Sequence, residues 1–74
     1  MNPRRYDYRE LQGDIRREYG TQGEFAKAMG MADATLSLKL NNKAEWSQDE
    51  MTLAIKLLHV GVEKIEPYFF TLAV

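Results

Sequence analysis

His59 is the only histidine of the chain, and there is no cysteine. Nucleophilic, acid–base or metal chemistry would therefore have to rest on carboxylates. The spaced acidic residues do not offer it. Thr21 and Glu24, and Ser47 and Glu50, stand three residues apart ahead of apolar runs. That is the pattern of a capping box, in which each side chain bonds the other residue's backbone N–H. His59 has no acid–base partner in view and reads as a surface or last-turn residue. No nucleophile elbow, phosphate loop or metal-ligand spacing occurs. The expectation is a protein that is not an enzyme and takes no cofactor or metal.

Binding chemistry is better represented. Ala26, Gly30 and Leu36 have the spacing of a helix-turn-helix, with Gly four residues after Ala and Leu six after Gly. The alanine is small where the second helix of the unit crosses the first. The glycine can take the positive φ of the turn. The leucine anchors the second helix in the core. Two short helices joined by a turn of about three residues containing Gly form a unit that many regulators use on DNA.

The surrounding elements follow from periodicity. Tyr8, Leu11, Ile15 and Tyr19 share one face of a first helix, which Gly13 weakens and Gly20 stops. Thr21 opens a second helix with Phe25, Ala26 and Met29 inward, and Gly30 ends it. A very short turn leads to a third helix that carries Leu36 and Leu40. Asn41-Asn42-Lys43 closes it, since Asn tolerates the left-handed conformation. Ser47 opens a fourth helix with Met51, Ala54, Ile55 and Leu58 on its core face and Leu53, Leu57 and Val60 widening it. Gly61 is the expected stop. Val62–Ile65 gives one more turn, and helix is disfavoured at Glu66 because Pro67 follows. Trp46 precedes an N-cap, where a hydrophobic staple onto Met51 or a neighbour is expected. The tail Tyr68–Val74 is apolar and rich in β-formers; it packs either on its own core or on another chain. The expected architecture is all-α, a single domain over residues 1–74 with four to five short helices, a helix-turn-helix at about 21–41 and an extended C-terminal tail.

Composition limits the partners. The chain has 74 residues, too few for a large core, and without cysteine it has no disulfide to compensate. Helix packing or a partner subunit must supply stability. No apolar run approaches the roughly 18 residues of a membrane span, and Met1–Arg5 is not followed by the apolar stretch of a signal peptide. A cytoplasmic protein is expected. Net charge is −1, whereas DNA affinity comes largely from Lys and Arg neutralising phosphates. The basic excess lies near the N-terminus, where Arg4, Arg5, Arg9, Arg16 and Arg17 form either a solvated face or, at Arg4-Arg5, an arm reaching DNA.

The run Thr-Gln-x-Glu-Phe-Ala-x-x-Met-Gly-Met from Thr21, followed by Ala-Thr-Leu-Ser-Leu-Lys-Leu-Asn-Asn-Lys from Ala34, resembles the phage Cro and lambda-type repressor family of helix-turn-helix proteins. The likeness extends from about Tyr8 to Phe70. The Pro-Tyr-Phe-Phe ending looks like that of small Gram-positive phage regulators, which include antirepressors of the modulator-of-repression type. The resemblance implies a regulator in the cytoplasm of a bacterial host. It implies Gln22 against a phosphate, with Asp33, Ala34, Ser37 and Leu38 on the groove-facing side of the recognition helix. Thr35, Lys39, Asn41, Asn42 and Lys43 would lie near the DNA backbone. Helical spacing agrees in part, because Ala34, Leu38 and Asn41 share a face away from Leu36 and Leu40.

The groove-facing seats depart from the family pattern. Members usually carry Gln, Arg, Ser or Asn there, because bidentate donors read bases. Asp33, Ala34 and Leu38 supply thymine-methyl contacts and a cytosine acceptor at most. Two readings follow. In the first, a Cro-like transcriptional regulator binds double-stranded operator DNA in a lysis/lysogeny-type switch, as a homodimer on a two-fold site. In the second, an antirepressor keeps the fold but binds a partner phage repressor and blocks its DNA binding.

Overall fold

The computed structural model describes residues 5–73. These residues form five α-helices: α1 Arg9–Tyr19, α2 Gln22–Met29, α3 Asp33–Leu40, α4 Gln48–Leu57 and α5 Ile65–Phe69, the last preceded by a 3-10 turn at Val62–Lys64. α1 packs on α2 and α5, α2 on α3 and α4, and α4 on α5. Over the span 21–41, α2 and α3 are two eight-residue helices joined by Gly30, Met31 and Ala32.

The core gathers the side chains that periodicity selects. Leu11 and Ile15 from α1, Phe25, Ala26 and Met29 from α2, Leu36 and Leu40 from α3, and Ala54, Ile55 and Leu58 from α4 are all buried. Tyr68 and Phe69 join them from α5, so the apolar tail packs on its own core through these two rings. Trp46 is buried as well, but its ring lies on Phe69 at 4.9 Å and near Tyr8 at 6.3 Å. Its neighbours are aromatic, and its Nε1 has no hydrogen-bond partner.

Three helices end in the same device, a left-handed residue with two nested backbone bonds that satisfy the last carbonyls. For α2 the residue is Gly30 (φ 76°), with Gly30 N–H on the Lys27 carbonyl and Met31 N–H on the Ala26 carbonyl, both at 3.0 Å. For α3 it is Asn42 (φ 63°), with Asn42 N–H on Lys39 and Lys43 N–H on Leu38. For α4 it is His59 (φ 60°), with His59 N–H on Lys56 and Val60 N–H on Ile55. The expected stop at Gly61 is therefore two residues late. Gly61 has an ordinary extended backbone, and His59 carries the left-handed turn.

Two further expectations need correction. The Thr21 box is half formed. Thr21 Oγ1 accepts from Glu24 N–H, but the Glu24 carboxylate turns to Lys27 at 3.6 Å. The Ser47 box is complete in both directions, at 2.9 and 3.0 Å. Helix also continues through Glu66 and Pro67. Pro67 is the third residue of α5, in the first turn, where its missing N–H has no helical acceptor to lose.

Beyond α5 the chain runs back along its own beginning. Tyr6 and Leu72 form an antiparallel bridge, flanked by Asp7 N–H on the Thr71 carbonyl at 2.7 Å and Ala73 N–H on the Arg5 carbonyl at 3.0 Å. Tyr6 meets Phe70 edge-on at 5.9 Å. No helix among the described residues is long and apolar enough to cross a membrane.

Candidate functional site

α3 buries Leu36, Lys39 and Leu40 and turns Asp33, Ala34, Thr35, Leu38 and Asn41 outward. Leu38, on this outer face, is 47% exposed. A large apolar side chain in the middle of an exposed helix face is unusual unless something covers it. Toward the C-terminal end of α3 the face becomes a shallow groove lined by Ser37, Leu38, Asn41, Asn42, Lys43 and Arg5.

The polar residues beside this face are largely engaged. The Gln22 side-chain amide donates to Asp33 Oδ1 at 2.9 Å and to Ser37 Oγ at 2.7 Å. Both N–H groups of that amide are then in use, and what remains is a carbonyl oxygen, which cannot donate to a phosphate. Asp33 lies across the start of α2, with Oδ2 3.8 Å from where a Cβ on Gly23 would stand. A helix N-terminus attracts anions, and here a carboxylate already occupies that vicinity. Asn41 Nδ2 donates to its own helix at the Ser37 carbonyl, at 2.7 Å.

Lys39 and Asn42 serve the fold. Lys39 is 8% exposed; its ammonium donates to the Glu45 carbonyl at 2.8 Å and pairs with Glu50 Oε1 at 3.1 Å. Burial opposes ionisation of Glu50, but the Ser47 N–H and the Lys39 ammonium outweigh it and hold the carboxyl below the usual range. Asn42 Oδ1 accepts the Tyr6 N–H at 2.8 Å, and its Nδ2 donates to the Tyr6 carbonyl at 3.0 Å. Neither residue lies free beside the groove, as a DNA-backbone contact requires.

The cations left facing the groove are Arg5 and Lys43. Of the other arginines, Arg9 pairs with Asp7 at 2.8 Å and Arg17 with the buried Asp14 at 2.5 Å, while Arg16 is exposed and lies beside Gln12, Gln22 and Leu40 rather than in the groove. Arg4 lies outside the described residues. The face that results is acidic at its Asp33 end, apolar at Ala34 and Leu38, and basic at Arg5 and Lys43. Spacing along the helix brought Ala34, Leu38 and Asn41 together correctly. Nothing local in the sequence signals the Lys39–Glu50 or Asn42–Tyr6 contacts, because the partners come from other elements. Among the described residues no cluster of three or more potential metal ligands is present.

Comparison with curated proteins gives no match. Among solved structures, the chain is similar to the modulator of repression (MOR) of the temperate bacteriophage TP901-1 from Lactococcus lactis. The two are 46% identical, the alignment covers 88% of each chain, and the TM-score is 0.78. The phage-regulator part of the resemblance seen in the sequence therefore stands. The matching family, however, is not the Cro and lambda-type repressor family. Its model is described as "Protein of unknown function (DUF739)" and spans residues 4–72. With nearly its whole length inside that match, the chain belongs to the DUF739 family.

Proposed function

We propose that this chain is a phage regulator of the modulator-of-repression kind: it binds a repressor protein through the outer face of α3 and keeps that repressor off its operator. The observation that carries the reading is the character of the face. Leu38 stands exposed beside Ala34, Asp33 lies at one end, and the Gln22 and Lys39 donors are turned away from it. An apolar centre with a charged rim suits a protein surface. It suits a phosphate backbone poorly, because affinity there scales with the number of free cations. The likeness to a modulator of repression supports the same choice. A DNA-reading helix is itself basic, so the acidic Asp33 end and the apolar centre of this face complement it. On this reading the protein works in the cytoplasm of the bacterial host, where the repressor acts, and catalyses nothing.

The test is calorimetric titration of the chain into the purified repressor of the same phage, with and without operator DNA. The expected result is saturable binding that operator DNA competes away, and a loss of about tenfold or more in affinity for Leu38→Glu. A gel shift of operator DNA by the chain alone, together with no binding to the repressor, would overturn the proposal.

A further inference from the structure

The bridge between the two ends of the chain has one closed edge and one open edge. The flanking bonds run from Asp7 N–H to Thr71 and from Ala73 N–H to Arg5. Tyr6 and Leu72 are therefore a non-hydrogen-bonded pair, whose own N–H and C=O groups point away from each other, out of the two edges. On the Tyr6 edge both groups are taken by the side chain of Asn42, which acts as a one-residue substitute for a third strand. On the Leu72 edge, among the described residues, neither the N–H nor the C=O has a partner. Residues 70–73 are all exposed there, with Leu72 at 54% and Phe70 at 46%. Natural edges are usually protected by charge or proline. Residues 68–73 carry neither.

We propose that this open edge pairs with the same edge of a second copy of the chain. The argument for a second copy is self-complementarity. An unpaired residue with N–H and C=O side by side is satisfied by its own two-fold image, each Leu72 donating to and accepting from the other as a hydrogen-bonded antiparallel pair. The two Leu72 side chains then lie together, near both Phe70 rings. No side chain among residues 68–73 is charged, so no side-chain charges oppose each other where the two Leu72 residues pair. The Asn42 clamp and the end of α3 lie on the opposite edge, so pairing leaves both α3 faces open. If the repressor-binding reading holds, the pair presents two such faces at once.

Sedimentation equilibrium of the full chain tests this, from about 10 µM to about 1 mM, the range expected for a small interface. Four proteins are compared: the wild type, Leu72→Pro, Leu72→Lys and Leu38→Glu. Leu72→Pro removes an N–H that no internal acceptor uses. Leu72→Lys keeps the N–H and places two like charges opposite each other. The expected result is a wild-type mass rising toward the dimer, at least tenfold weaker association in both Leu72 variants, unchanged thermal melts, and wild-type association for Leu38→Glu. Should Leu72→Pro melt early, Leu72→Lys carries the comparison. A wild type that stays monomeric at the highest concentration overturns the proposal, and so does a dimer that Leu38→Glu abolishes. If the wild type is monomeric and Leu72→Lys only weakens the repressor complex, the edge receives another chain and the second-copy assignment fails. Retained repressor binding in that same experiment keeps the proposed function separate from this outcome.

Discussion

The side-chain amide of Asn42 pairs with both main-chain groups of Tyr6, accepting at 2.8 Å and donating at 3.0 Å. This one residue closes α3 with a left-handed turn and fastens the start of the chain to it, 36 positions away in sequence. Separating the two roles is straightforward. Asn42→Gly keeps the positive φ without strain and loses the two side-chain bonds, which predicts a loss of about 1–2 kcal/mol. Asn42→Ala also incurs the left-handed penalty and should lose about 2–3 kcal/mol. Urea unfolding of both variants checks the order. Equal stability of Asn42→Gly and wild type would mean that the clamp contributes nothing.

Lys39 offers a similar separation of fold from binding. Its ammonium is held by the Glu45 carbonyl and Glu50 Oε1, so its charge faces the protein rather than a partner. Lys39→Met should keep the packing of the stem and lose the pair, lowering stability by about 1–2 kcal/mol. Repressor affinity, measured where both proteins are folded, should stay within about twofold of wild type. A tenfold fall in affinity with unchanged stability would instead make Lys39 a contact residue.

These two residues mark where the sequence was legible and where it was not. Gly30, Leu36, the Ser47 box and the left-handed tolerance of Asn are decided within one helical turn, and each stands where spacing put it. Helical spacing puts Leu38 on the outer face of α3, but its exposure depends on what the rest of the chain covers. The inward fold of Lys39 depends on Glu50, one element away, and the second role of Asn42 on Tyr6, at the other end of the chain. A basic or amide residue at the end of a recognition-like helix gives no local sign of such a partner. Pro67 differs from expectation for a related reason. It disfavours helix at the residue before it, but the burial of Tyr68 and Phe69 stabilises the turn that contains it.

Asp14 and Tyr68 predict the pH profile. The Tyr68 hydroxyl donates to Asp14, which also pairs with Arg17. Burial opposes the charge on Asp14, but Tyr68 and Arg17 outweigh it and hold its carboxyl below the usual range. A lowered carboxylate contributes stability that is complete above its unfolded value of about 4 and is lost as pH falls through the folded value. Tyr68 is pushed up, first by burial and then by Asp14. Its contribution is complete below about pH 10 and is lost as pH rises beyond it. Stability should therefore be level between these limits and fall on both sides. Asp14→Asn should reduce the acid limb, leaving the share that Glu50 contributes, and Tyr68→Phe should reduce the alkaline limb, each read from urea midpoints across pH. A Tyr68→Phe variant with the wild-type alkaline limb would remove Tyr68 as its cause.

The end of α4 gives a test in the stabilising direction. His59 sits at φ 60° and is exposed, whereas Gly61, the residue whose type suggests a helix stop, has φ −94°. A non-glycine residue in the left-handed region costs about 1–2 kcal/mol. Glycine removes that strain but adds freedom to the unfolded chain. His59→Gly should therefore gain a net of about 0.5–1 kcal/mol, raising the melting temperature by roughly 2–8 °C in a domain of this size. Gly61→Ala is the control. Its backbone suits any residue, and the Glu63 carboxylate that an added Cβ would meet is the end of a flexible, exposed side chain, so the change should stay within about 0.5 kcal/mol. If Gly61→Ala were the damaging substitution and His59→Gly neutral, the helix would end at the glycine after all, and the nested bonds at Lys56 and Ile55 would not be what closes it.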